Sequence, residues 1–325
     1  MKALLILFVV MGHIKGCVLT PFLYLFHVPA FFFVSGYLQS LANNYRGGKK
    51  EIRSIKFLIL AIAFWNFFFL CLSNGSEMLF TIFRNEDISL ELHKTLKSIL
   101  GIFCCWNKEF MPKIVPFWFI WVLIIIKVIY CFINRFECKI KVLIVCLCII
   151  YCILANLIHK SLPFLLDRTI IALPFYISGN IFRVKNLVAK IFAFPRSFKI
   201  LFCISGFVCL LFTLKITGSY DMFSMYQYIK GRSVLWYYVV SFIGTFILIL
   251  CCEKLPRNKF VEIVSEGTLL ILALHMSLIK IINKVGVFNI DFSQVSKGLA
   301  ICVLCIPLIL LSKKYFPYSL GKKRK

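Results

Sequence analysis

Residues 234–252, VLWYYVVSFIGTFILILCC, run for nineteen positions without a charge. A bilayer hydrocarbon core about 30 Å thick is crossed by about 20 apolar residues of α-helix, so this run reads as one membrane span. Working outward from it, similar runs lie between clusters of charge at 3–19, 22–42, 57–72, 114–134, 142–159, 169–184, 200–216, 267–283 and 298–312. Composition agrees with that reading. Of 325 residues, 61% are hydrophobic and 16% charged, whereas a soluble domain runs to about 45–50% apolar and about 25% charged. The expected fold class is all-α, a polytopic membrane helix bundle of about ten transmembrane helices. Residues 1–325 are expected to form a single integral-membrane domain, because no internal repeat, low-complexity linker or appended soluble segment is visible. Disorder, a collagen-like chain, a disulfide mini-protein and a soluble two-domain enzyme are excluded.

The charge has a topological meaning. Lys and Arg number 38 against 13 Asp and Glu, a formal +25. In a soluble protein this would indicate nucleic-acid binding. Here the basic residues sit between apolar runs, so no nucleic-acid partner is expected and the positive-inside rule applies. With the N-terminus cytoplasmic, twenty-three of the 38 fall on the cytoplasmic side. Both termini are therefore expected in the cytoplasm, with basic loops facing anionic membrane lipid. The Met-Lys-apolar start resembles a signal peptide, but no small-x-small cleavage site follows, so it is read as a retained helix. The long segment 73–113 mixes charge with Met78, Phe80, Ile82 and Phe83, and is expected to include a short amphipathic helix at the outer interface. Most of the fifteen cysteines lie inside apolar runs, where they act as small hydrophobes. Cys104–Cys105 and Cys251–Cys252 lack the spacing of a zinc site. No metal is expected.

An ionisable side chain within a span costs about 2.5–3.5 kcal/mol at the centre and marks a functional candidate. His93 and His159 fall in or beside outer loops and are read as solvated, while His13, His27 and His275 lie within spans. Thr20-Pro21 is the expected turn between the first two spans. His13 precedes it and His27 follows it by similar distances, which places both at one depth, about 10 Å below the outer edge at about 1.5 Å per residue. Two readings stay open here: the imidazoles face one cavity, or each hydrogen-bonds a backbone carbonyl or a Ser/Thr of a neighbouring helix. Lys2 lies eleven residues before His13, nearly the same helix face and about 16 Å away along the axis. Alone it reads as ordinary positive-inside flanking. With His13 it suits a long ligand with an anionic head and a reactive tip, the shape of a coenzyme A thioester.

The segment KALLILFVVMGHI, residues 2–14, followed by FHVPAFFFVSGYL at 26–38, resembles the integral-membrane acyltransferase family three, closest to its fucose-acetylase-like branch. Members of that family acetylate sugars of surface polysaccharides and related glycans. The carrying features are Lys2 eleven residues before Gly12-His13, and the run His27-Val28-Pro29-Ala30-Phe31-Phe32-Phe33-Val34-Ser35-Gly36. Weaker echoes follow in the family's order: PFWFIWVL at 116–123, LPFYISGNIFR at 173–183 preceded by Asp167, and EGTLLILALH at 266–275. Relatives often carry a short cytoplasmic arm with an acidic residue before the basic one, and here Met1 stands at that point.

The resemblance implies transfer of an acetyl group from cytoplasmic acetyl-CoA to a sugar hydroxyl of a surface polysaccharide or its lipid-linked precursor, in a bacterial inner membrane. Such chemistry needs a base for the alcohol and donors for the oxyanion. A neutral imidazole suits the first task at physiological pH. His13 is the expected general base or transient acyl carrier, with His27 orienting it or acting on the acyl carbonyl. Lys2 and Arg183 are expected to engage coenzyme A phosphates. Lys2 stands where many relatives have Arg, so bidentate phosphate binding is lost there. Ser35 and Gly36 would let the pantetheine arm pass close to the backbone, or pack helices together as small residues do. Trp118, with Trp121 near it, is a candidate sugar platform, and His275 a candidate acceptor-binding residue. Two other classes remain: a transporter or flippase of lipid-linked sugars, and a non-catalytic membrane partner.

Overall fold

A computed structural model describes residues 1–17, 19–39, 45–84, 87–104, 115–158, 162–217, 234–256, 258–285 and 294–322. Those residues are helical with no strand. In chain order the helices are α1 (Lys2–Gly12), α2 (Thr20–Tyr24), α3 (His27–Tyr37), α4 (Tyr45–Phe83), α5 (Ser89–Cys104), α6 (Trp118–Ile133), α7 (Cys138–Ile158), α8 (Leu166–Val184), α9 (Leu187–Phe192), α10 (Arg196–Thr217), α11 (Val234–Glu253), α12 (Lys259–Glu266), α13 (Thr268–Val285) and α14 (Gln294–Tyr315). Single 3₁₀ turns precede α6 at Val115–Phe117 and follow α14 at Pro317–Leu320.

Every apolar run identified from sequence overlaps a helix, but the count of spans differs from expectation. Among the described residues five helices are long and apolar enough to cross a membrane, within α4, α7, α10, α11 and α14. A sixth arises if α12 and α13, bent by 82° across Gly267, form one broken span. The first two expected spans are interrupted for local reasons. Gly16 takes a left-handed φ of 77° after α1 stops at Gly12, and Pro21 opens the short helix α2 rather than a long second span. Residues 73–83 continue α4, which reaches 39 residues instead of ending near 72. Farther along the same segment Ser89–Cys104 forms α5, packed on α4. His93 lies exposed on α5, and His159 falls outside the described residues.

The membrane character shows in where apolar side chains point. On α10, Leu201, Ile204, Val208 and Phe212 are exposed, a face that only hydrocarbon would solvate well. The inner helices are α3, α8 and α11. Between α3 and α8 the backbones meet at two glycines: a Cβ on Gly36 would overlap the Tyr176 carbonyl, and one on Gly179 the Phe33 carbonyl. Small residues permit this approach in membrane helices, where packing replaces the hydrophobic driving force. Arg183, at the end of α8, donates to the Tyr37 and Gln39 carbonyls at 3.1 and 2.7 Å. It thereby caps α3, whose last carbonyls lack partners within the helix. Around Gln39 the Tyr176 hydroxyl donates to its side-chain oxygen, and Lys127 pairs with Glu51 at 3.0 Å.

Candidate active site

Helix α1 presents Lys2, Ile6, Val9 and His13 to one cavity of about 610 Å³. These positions follow the i, i+4, i+7, i+11 pattern of a single helix face. From the other side α3 contributes His27, Phe31 and Ser35, spaced four residues apart. Because His13 ends α1 and His27 begins α3, the imidazoles sit at one end of the cavity and Lys2 at the other. His13 is the C-cap of α1 rather than a mid-helix residue. The break between α1 and α3 is what turns both histidines toward shared space.

The hydrogen bonds fix two tautomers. His27 Nδ1 lies 2.7 Å from the Leu23 carbonyl oxygen, and His275 Nδ1 lies 3.0 Å from that of Ile271. A carbonyl only accepts, so each Nδ1 carries the proton and each Nε2 keeps its lone pair. His275 Nε2 is buried and has no partner among the described residues. The His275 ring stands 5.1 Å from that of His13, centroid to centroid. The Tyr24 ring meets that of His27 at 5.0 Å. Of the pair His13 and His27, both line the one cavity, and His27 in addition bonds a backbone carbonyl four residues before it.

The opposite end is cationic. Lys2, Lys322 and Glu266 line it, and Glu266 pairs with Lys313 at 2.7 Å and with Lys322 at 3.3 Å. Trp118 lines the cavity from α6, with the Arg168 guanidinium 5.9 Å from its ring, within reach of a cation–π contact. The site is thus elongated, with positive charge at one end, lone-pair nitrogen at the other, and apolar walls between.

A family model described as an acyltransferase domain matches residues 1–313. The chain belongs to acyltransferase family 3. No curated protein and no solved structure matches it. The membrane acyltransferase places Lys2, His13, His27, Ser35 and Trp118 on one cavity, with His275 behind His13. Gly36 is in the α3–α8 crossing and Arg183 caps α3, so neither lines that cavity. Trp121 is likewise outside its walls, and its indole N–H has no partner among the described residues. Sequence reasoning passed over Tyr24, Tyr237, Glu266 and Lys322, all of which line the site. Glu266 carried a usable signal, an acidic residue opening the EGTLLILALH echo. Lys322 carried none, since its run of basic residues reads as an ordinary cytoplasmic tail.

Proposed function

We propose that this acyltransferase moves an acetyl group from cytoplasmic acetyl-CoA to a sugar hydroxyl of a surface polysaccharide or of its lipid-linked precursor. The observation that carries the reading is the single cavity with lysines at one end and histidines at the other. Residues and donor fit chemically. Lysine ammoniums suit phosphates, a thioester supplies an activated acyl carbon, and the apolar walls suit a thin, uncharged connecting arm.

His13 accepts the proton of the acceptor hydroxyl as that oxygen bonds to the acyl carbon. His13 then returns the proton to the sulfur freed when the carbon–sulfur bond breaks, so the products are an ester and a thiol. The His275 lone pair beside the His13 ring stabilises the imidazolium formed between these steps. His27, whose Nδ1 donates to the Leu23 carbonyl, keeps its Nε2 lone pair as an acceptor for a neighbouring hydroxyl of the sugar and so helps to orient the acceptor. Lys2 holds the anionic head of the donor, Ser35 lines the path of its arm, and Trp118 offers a face for the sugar ring. In this reading ten spans cross a bacterial inner membrane with both termini cytoplasmic, which puts the lysine end on the side where acyl-CoA is made.

Radiolabelled acetyl-CoA supplied to inverted vesicles tests the proposal. Label appearing on glycan supports it. Glycan translocation without label would instead support a transporter or flippase, and neither transfer nor translocation would leave the chain a non-catalytic partner.

A further inference from the structure

Beyond the stretch matched by the family model, the chain folds into a hook. The 3₁₀ turn Pro317–Leu320 buries Ser319 and Leu320, and the Trp65 indole donates to the Ser319 carbonyl at 2.9 Å. Gly321 adopts φ 67°, a left-handed conformation that glycine takes at little cost. The Lys322 amide then donates to the Pro317 carbonyl at 3.0 Å, closing the loop. This fixes the Lys322 backbone against the cavity mouth, with Leu320, Gly321 and Lys322 forming part of its wall. Lys322 shares Glu266 with Lys313 and stands near enough to Lys2 to repel it. Lys313 and Lys322 share the one Glu266 carboxylate, which leaves one of their two charges uncompensated by it, and Lys2 adds a further charge on the same cavity.

We propose that Lys322, presented by the hook Phe316–Lys322, is a second phosphate-binding cation of the donor site, and that Glu266 is the counter-ion it leaves when the donor binds. The proposal rests on the reading of the cavity as an acyl-CoA site. A partly exposed lysine–carboxylate pair is weak, while a phosphate offers stronger charge-assisted hydrogen bonds. An anionic head entering beside Lys2 therefore relieves its repulsion with Lys322 and replaces one carboxylate contact by a better one. Glu266 in the free protein holds the lysines in place and competes with the ligand for them.

The two roles have opposite signs, and that makes them testable. Coenzyme A and pantetheine, which lacks the phosphates, are titrated by calorimetry into the purified full-length chain. Lys322→Ala is expected to weaken coenzyme A binding about tenfold and leave pantetheine unaffected, and Lys322→Arg to restore the affinity. Glu266→Gln is expected to tighten coenzyme A binding severalfold, because it removes a competitor. Unchanged coenzyme A affinity in Lys322→Ala, with the wild type binding normally, overturns the role of the hook and leaves the acyl-CoA reading standing. Weakening by Glu266→Gln equal to that of Lys322→Ala overturns the competition and reduces the cluster to a structural latch. A wild-type chain that binds no coenzyme A overturns the acyl-CoA reading and the hook with it.

Discussion

His13 concentrates the chemical argument. Its ring lies on the cavity, against a second imidazole whose buried Nε2 has no hydrogen-bond partner among the described residues. General-base catalysis of this kind contributes about 10²- to 10⁴-fold. His13→Ala is accordingly expected to lower acyl transfer by about that factor, with an unchanged circular dichroism spectrum. His275→Ala removes only the support for the imidazolium, so it should lower kcat more mildly and leave the KM for the donor near its wild-type value. Lys2→Ala should act in the opposite sense, raising the donor KM with kcat nearly preserved. Steady-state kinetics on the three variants separates chemistry from binding. Equal losses in kcat for Lys2→Ala and His13→Ala would deny the division of the cavity into a head end and a reactive end.

At the scale of elements, α3 and α8 cross closely at glycines that do not line the cavity. Gly36 and Gly179 meet the facing backbone directly, and a backbone cannot yield as a flexible side chain can. Gly36→Ala is expected to cost about 1–3 kcal/mol through overpacking, read as a lower thermal unfolding midpoint in detergent, with coenzyme A affinity in the surviving folded fraction unchanged. A normal midpoint would mean that the helices do not cross this closely. The same crossing explains what could be read beforehand. The Lys2–His13 spacing of eleven and the histidines flanking Pro21 are local patterns, and helix geometry carries them directly into the cavity. The extent of α1 is not legible, because the apolar run continues to residue 19 while the helix stops at Gly12 and Gly16 turns the chain within the run. Gly36 reads as arm-passage or as packing, and only the partner Gly179, far along the chain, decides where it sits. Arg183 likewise spends its guanidinium on carbonyls of α3, a contact between positions more than 140 residues apart that no local spacing encodes.

Over the whole molecule, charge and apolar surface divide the work. The apolar exteriors of helices such as α10 are matched to lipid, and the excess of basic residues orients the chain across it. A reporter fused after Lys325 is expected to be active only on the cytoplasmic side, and a periplasmic signal would place the lysine end of the cavity away from the acyl-CoA pool. The hook ties the proposed topology to the site, because the segment Pro317–Leu320 and the two residues after it return to line the cavity mouth. The cavity as a whole links that mouth to the histidines, and the central claim is that a donor spans it with its head at the lysines while its acyl group passes to a hydroxyl at the histidines. The most direct measurement offers [acetyl-¹⁴C]-coenzyme A to inverted vesicles carrying either the wild-type chain or His13→Ala, and counts label on glycan. The account predicts labelled glycan with the wild type and label at background with His13→Ala. Equal labelling by the two chains would contradict it.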